Sequence, residues 1–236
     1  FPDHMTFALE KEADLRYGEN PNQPAALYRF TGTSLAEFTD IKLLKSGKGG
    51  LSATNYMDVT RALDILKFFS APSCAVMKHT IPSGFATKNN DDSLKDIYVK
   101  ARDADARSAF GSVVVFNRTV DVECAKELNN SFVEAVAAPS FEEEAQQLLS
   151  EKKNIRLITF KNLEKIPKFE GDDVQGLYDL KVLPSARIVV QKPYLTKIKT
   201  QEDLILQPSI LDKEGNEHKV ARLPSPDEAA DMLAAW

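Results

Sequence analysis

The stretch Cys74-Ala75-Val76-Met77-Lys78-His79-Thr80-Ile81-Pro82-Ser83-Gly84 decides how this chain is read. A short apolar run breaks abruptly into a cation, an imidazole and a Pro/Gly turn. Such a run bounded by turn signals predicts a buried strand that delivers Lys78 and His79 to the lip of a sheet. Ligand sites of open α/β sheets lie at strand ends of this kind. His79 is one of only three histidines. The lysine beside it sets a fixed positive charge next to a group that titrates near neutral pH. For this segment alone the plainer alternative is a strand cap, with Lys78 solvated and His79 hydrogen-bonded.

Outward from this strand, apolar patterning predicts helices and buried strands in alternation. Residues 55–69 read as a helix, with Met57, Ala62, Leu63, Leu66 and Phe69 near one face. Further helices are expected over 93–104, 122–129 and 141–151, the last with Glu142, Glu143 and Glu144 where a helix dipole favours acid. Strands are expected over 111–116, 132–138 and 155–160, with short ones at 25–30 and 41–44 and an edge strand over Met5–Leu9. The fold class is therefore α/β: a mostly parallel or mixed sheet flanked by helices, the alternation itself arguing for a largely parallel one. Arg16–Pro24 reads as a loop and residues 31–40 as a turn. The glycine cluster Ser46–Gly50 lacks the spacing of a phosphate-cradling loop and reads as a flexible turn.

After Lys161 the pattern loosens. Residues 178–183 and 186–191 are expected to pair at a sheet edge, 192–208 to form a polar connector, and Asp212–Glu217 to turn. A last helix is expected from Pro226, with Ser225 as its N-cap and Asp227 and Glu228 in its first turn. The chain stops inside that helix without a C-cap, which reads as a truncation.

Composition sets the remaining bounds. Of 236 residues, 43% are apolar and 28% charged, ordinary values for a soluble globular protein. The net charge of −5 argues against a broad nucleic-acid surface. No apolar run approaches the ~20 residues of a membrane span, and the start has no signal-peptide pattern. Cys74 and Cys124 have no metal-ligand spacing and read as buried thiols of a reducing cytosol; no metal site is expected.

Two further segments change the weight of the Lys-His pair. One is Leu15-Arg16-Tyr17-Gly18-Glu19-Asn20-Pro21-Asn22-Gln23, and the other is Ser108-Ala109-Phe110-Gly111-Ser112. With KHTIPSG and Phe132–Phe141 they stand in an order that resembles the formyltransferase half of the AICAR transformylase/IMP cyclohydrolase family, whose usual strings are LRYGENPHQ, KHTNPCG, SAFGG and FVEVIIAPSF. Each string is modestly specific and the four in order are highly so. The resemblance covers most of the chain, from about Phe1 to Trp236.

The resemblance implies a duplicated α/β unit of cytidine deaminase-like fold. Residues 1–191 would form the first repeat, and 192–236 a connector with the first helix of a truncated second repeat. It implies formyl transfer from 10-formyltetrahydrofolate, a cosubstrate, to the 5-amino group of AICAR, with no bound metal or redox cofactor. The parent would be a cytoplasmic homodimer whose other half is IMP cyclohydrolase, and its folate site would be built largely from the second repeat and a partner subunit. The isolated fragment would have little activity.

The amine is a poor nucleophile, so the reaction needs a base and a cation for the developing oxyanion. The family assigns these roles to the pair that stands here as His79 and Lys78. Arg16 and Tyr17 match its nucleotide-contacting pair; on their own they read as a surface arginine and a packed tyrosine. Gly111 stands where a backbone approaches a ligand, or is a simple turn glycine. Glu134 in an apolar strand needs a partner; a ribose diol would serve, and the alternatives are an outward-facing position or an Arg or Lys partner. Lys153 aligns with a phosphate-contacting lysine, with solvation as the alternative. Asn55 matches a position near the base, with helix N-capping as the alternative.

The chain departs from the family at Asn22 (usually His), Ile81 (usually Asn or Ser), Ser83 (often Cys) and Ser112 (usually Gly). These bear on fine positioning more than on reaction class. Two other readings stand beside the enzyme: a nucleotide-binding or scaffold module that keeps the fold without turnover, and a zinc deaminase. The deaminase is disfavoured because no Cys-x-x-Cys pair is present and no Glu lies two residues after His79.

Overall fold

A computed structural model describes residues 1–31 and 40–235. Most of the turn expected at 31–40 therefore lies outside the described residues, as does Trp236 of the closing helix. The chain divides into two compact units, Phe1–Ile166 and Pro167–Trp236.

The first unit opens with an antiparallel pair, β1 (Leu9–Leu15) and β2 (Ala25–Phe30), in which Leu15 faces Ala25. The edge strand expected over Met5–Leu9 begins instead at Leu9, because pairing starts there, with Leu9 opposite Phe30. There follow β3 (Lys42–Lys45), α1 (Ala53–Leu66), β4 (Ser73–Lys78), β5 (Ile81–Thr87), α2 (Leu94–Asp103), β6 (Ser112–Phe116), α3 (Val122–Asn129), β7 (Val133–Ala138), α4 (Glu143–Ser150) and β8 (Arg156–Thr159). The last six strands form one sheet in the order β3-β8-β7-β6-β4-β5.

The sheet is mixed. The β6–β7 and β7–β8 pairs are parallel, whereas β3–β8, β4–β5 and β4–β6 are antiparallel. Of the two sheets expected, mostly parallel or mixed, the mixed one is found, and one element accounts for it. Ile81–Thr87 is a strand, and the Pro82/Gly84 segment that reads as a turn returns along β4 from Ile81 opposite Lys78. Pro82 is tolerated there because β5 is an edge strand. This hairpin reverses the chain before α2, so β4 runs against β5, β6, β7 and β8. The C-terminal end of β4 therefore lies beside the N-terminal ends of the parallel strands.

Alternation in β4 divides the core. Cys74 and Val76 join Val114, Val136 and Leu157 under α2, α3 and α4, which contribute Ile97, Tyr98, Leu128 and Leu149. Ala75 and Met77 join Val113, Ala135 and Ile158 under α1, which contributes Val59, Ala62, Leu63 and Leu66. Both cysteines are free and buried, and burial raises both thiols well above their ordinary range.

The second unit holds two hairpins. Among the described residues β9 (Asp179–Leu183) and β10 (Arg187–Gln191) pair only with each other, rather than at the edge of a larger sheet. β11 (Ser209–Leu211) and β12 (Glu217–Lys219) flank the turn expected at Asp212–Glu217. α5 (Pro226–Ala235) starts at a capping box: Ser225 Oγ accepts from Glu228 N–H at 3.2 Å, and Glu228 Oε2 accepts from Ser225 N–H at 2.8 Å. Among the described residues no helix is long and apolar enough to cross a membrane.

Candidate active site

Lys78 is the last residue of β4 and is half-buried. Its ammonium donates to the carbonyl oxygens of Phe110 at 2.8 Å and Gly111 at 3.0 Å, at the start of neighbouring β6. Gly111 has φ 70°, a left-handed conformation that disfavours a side chain. Its N–H donates to Phe132 O at 2.8 Å, just before β7. A Cβ on Gly111 would lie 3.2 Å from Lys78 Nζ and 3.3 Å from the Phe132 ring. The exposed rings of Phe110 and Phe132 pack with centroids 4.9 Å apart.

His79 and Thr80 are the two linking residues of the β4–β5 hairpin, with φ 51° and 68°. Positive φ at both positions matches a type I′ turn. The Thr80 N–H donates to Asp58 Oδ1 on α1 at 2.5 Å. Asp58 is buried, and burial pushes its carboxyl above the usual range, against the opposing pull of the Thr80 hydrogen bond and the charges of His79 and Lys78. The His79 side chain is exposed and makes no hydrogen bond among the described residues, so the strand-cap expectation of a hydrogen-bonded imidazole is not what is found.

Beside this turn lies an open cleft lined by Arg16, Lys48, Phe132, Val133, Glu134, Asn154 and Arg156. Two backbone bonds dock the Arg16 loop against the start of α1: Arg16 N–H to Leu51 O and Ala53 N–H to Tyr17 O, each 2.9 Å. The Arg16 guanidinium lies 5.0 Å from the centre of the Tyr17 ring and 4.0 Å from Glu134 Oε1. Arg156, at the start of β8, donates to the same Glu134 Oε1 at 3.2 Å, to Gly50 O at 2.9 Å, to Lys48 O at 3.2 Å and to Asn154 O at 3.4 Å. Burial pushes the Arg156 guanidinium down from its ordinary value, and Glu134 opposes that shift.

The glycine cluster that reads as a flexible turn is therefore an acceptor cradle for a buried arginine. Gly47 is required in it: φ is 55°, and a Cβ would sit 2.6 Å from the backbone oxygen of Asn154. Glu134 finds arginine partners, so its charge is met without a ligand. Nothing in the sequence marks Arg156, Lys48, Asp58 or Phe132 as a site residue. The only hint for Arg156 is a basic residue inside a strand pattern at the sheet end that holds Glu134.

Of the remaining expected residues, Asn55 is the third residue of α1, and the helix begins at Ala53 rather than Asn55. The N-cap is Ser52: its Oγ accepts from Asn55 N–H, and Asn55 Oδ1 accepts from Ser52 N–H, both at 3.2 Å. Lys153 is exposed after α4 and does not line the cleft. Its neighbour Lys152 is the engaged one, donating to Ser131 O at 2.8 Å. Asn22 is exposed. Ser112 Oγ is buried without a protein partner, and nothing in the structure explains the serine there. No group of three or more metal-ligating side chains is assembled among the described residues. The structure thus gathers Lys78, Gly111, Glu134, Arg16 and Tyr17 at one end of the sheet, with His79 on the adjoining turn.

The family model described as AICARFT/IMPCHase bienzyme matches residues 1–236. The chain belongs to that family. Relatives carry the name bifunctional purine biosynthesis protein PurH. The protein from Acetivibrio thermocellus is 38% identical over 205 residues, covering 86% of this chain and 37% of the relative. That from Thermoanaerobacter sp. is 36% identical over 238 residues, covering 100% and 41%. That from Sorangium cellulosum is 43% identical over 158 residues, covering 67% and 30%. The chain thus spans about two fifths of the length of the first relatives it matches. A solved structure described as a putative formate dehydrogenase accessory protein from Desulfotalea psychrophila matches 67% of this chain and 94% of that one at 9% identity, with a TM-score of 0.37.

Proposed function

We propose that this family member supplies the first repeat of the formyltransferase part of a bifunctional purine enzyme. In it a formyl group passes from 10-formyltetrahydrofolate to the 5-amino group of AICAR, giving FAICAR. The observation that supports the reading is the convergence of Lys78, Gly111, Glu134 and Arg16 at one sheet end, beside the turn that carries His79.

The chemistry asks for few groups. The amine lone pair is delocalised into an electron-poor ring, and its attack on the formyl carbon needs a base to take a proton. His79 is the exposed imidazole at the strand end and suits that role. The tetrahedral oxyanion needs a cation. Lys78 spends two of its three donors on carbonyl oxygens and keeps one for the substrate. Collapse of the intermediate expels the folate nitrogen, which takes up a proton.

Around that centre, Arg16 and Lys48 offer positive charge to a phosphate. Glu134 keeps acceptor capacity for a ribose hydroxyl alongside Arg156. Asn55 has its amide N–H groups left for a carbonyl, since its oxygen serves the cap. Lys48 takes the phosphate role in preference to Lys153, because it lines the cleft. The same proposal includes the division into a first repeat over 1–191 and the start of a second over 192–236. It also includes a cytoplasmic homodimeric parent, with IMP cyclohydrolase as its other half.

The test is formyl transfer by the full-length enzyme supplied with AICAR and 10-formyltetrahydrofolate, run beside the 236-residue chain. FAICAR formation by the full-length enzyme only is the expected result. Its absence there, with both substrates bound, would leave a binding module.

A further inference from the structure

The turn that presents His79 is made of residues that disfavour it. Type I′ turns favour Asn-Gly because both central residues take positive φ. Here the pair is His79-Thr80, at φ 51° and 68°. A β-branched residue in the left-handed region is a steric outlier and persists only where its surroundings impose it. The His79 ring makes no hydrogen bond of its own among the described residues. With no hydrogen bond of its own to hold it, the ring follows the backbone of the turn.

Among the described residues one group outside the hairpin bonds that backbone: Asp58, whose Oδ1 accepts from Thr80 N–H at 2.5 Å. Asp58 is 4% exposed and sits on a fixed platform. The start of α1 is locked by the Ser52–Asn55 box, and Val59, Ala62 and Leu63 are in the core. A buried carboxylate is costly unless its hydrogen bonds compensate. Among the described residues Asp58 has no ion-pair partner at bonding distance, so its one hydrogen bond there, to the strained turn, carries that compensation.

We propose that Asp58 is a positioning residue of this site. By clamping Thr80 N–H it holds the His79-Thr80 turn in its left-handed conformation and so fixes where the imidazole stands beside Lys78. The catalytic consequence rests on the formyl-transfer reading; the clamp itself does not.

The test uses Asp58→Ala, Asp58→Asn and the double variant D58A/T80G. In the 236-residue chain, hydrogen exchange of the Thr80 amide followed by NMR should be at least about 10-fold faster in D58A and close to wild type in D58N, which keeps an acceptor oxygen. In the full-length enzyme D58A should lower kcat about 10- to 100-fold with the KM for AICAR little changed, and D58N should recover most of the loss. Removing Asp58 should cost less in the T80G background, because glycine takes positive φ without strain. That comparison also serves if D58A alone fails to fold. Unchanged Thr80 exchange in D58A would overturn the clamp. Equal kcat losses in D58A and D58N would overturn it in favour of a charge effect. A full-length wild type that binds both substrates and transfers no formyl group would overturn the reaction and the catalytic consequence, while exchange still decides the clamp.

Discussion

The Lys78 ammonium and the Gly111 backbone are fitted to each other. Nζ donates to Gly111 O at 3.0 Å, and a Cβ on Gly111 would lie 3.2 Å from that same nitrogen. The glycine thus sets both the acceptor and the clearance for the cation. Gly111→Ala forces a side chain at φ 70°, and we expect a loss of about 1–2 kcal/mol in folding stability. The neighbours that would be crowded, an ammonium and an exposed ring, can move aside, so the backbone supplies most of the cost. Urea denaturation of the two proteins measures it. An unchanged midpoint would mean that the turn relaxes freely and that Gly111 has no conformational role.

His79 offers a sharper functional test. With an imidazole that bonds nothing else in the described residues, His79→Ala should leave folding stability within about 0.5 kcal/mol of wild type. In the full-length enzyme the same change should lower kcat by about 10²-fold or more, while calorimetry shows AICAR binding changed only a few-fold. Weakened binding with kcat preserved would move His79 from proton transfer to substrate recognition.

The order of damage at the Glu134–Arg156 pair is also fixed by geometry. Arg156 is buried and serves three carbonyl oxygens besides the carboxylate. Glu134 keeps 30% of its side chain exposed. Arg156→Ala strands those acceptors and should cost about 3 kcal/mol. Glu134→Gln leaves a hydrogen-bond acceptor on a part-solvated side chain and should cost about 1 kcal/mol. Thermal denaturation of both variants checks the order, and a reversal would show that Glu134 rather than Arg156 organises the cleft. AICAR affinity of the full-length enzyme should fall in Arg16→Ala; unchanged affinity there would remove Arg16 from the nucleotide site.

How far the sequence discloses this arrangement depends on whether the information is local. The β4 strand is legible because Cys74–Met77 is apolar on both faces, as a strand covered by helices on each side must be. Ser225 is legible because a cap followed by acid is a short-range signal. The hairpin after Lys78 is not, because His-Thr lacks the usual chemistry of its turn and Pro82 with Gly84 reads as a turn of its own. That miss also hid the reversal of β4, and with it the fact that the site lies at the N-terminal ends of the parallel strands. Arg156 is not legible because its acceptors, Gly50 O and Lys48 O, lie 106 and 108 residues away in sequence. Lys48 and Lys153 exchange importance for the same reason: which lysine reaches a cleft is decided by loop geometry.

Asp58 also carries a signature in the pH dependence of stability. Burial raises its carboxyl above the ordinary value of 3.8. Between that value and the raised one the native state holds a proton that the unfolded chain has released. The contribution of Asp58 to stability is thus fully present below pH 3.8 and is lost as pH rises through the folded-state value. The groups facing it work in known directions: Thr80 N–H, His79 and Lys78 favour the charged form and Glu134 disfavours it. Asp58→Asn removes the titration and keeps an acceptor for Thr80. The stability of wild type relative to Asp58→Asn should therefore fall as pH rises above 3.8, while the other carboxylates largely cancel in the difference. Urea midpoints of the two proteins across that range measure it. A difference that instead grows with pH would mean that Thr80, His79 and Lys78 outweigh burial, and that the carboxylate is held charged in the folded protein.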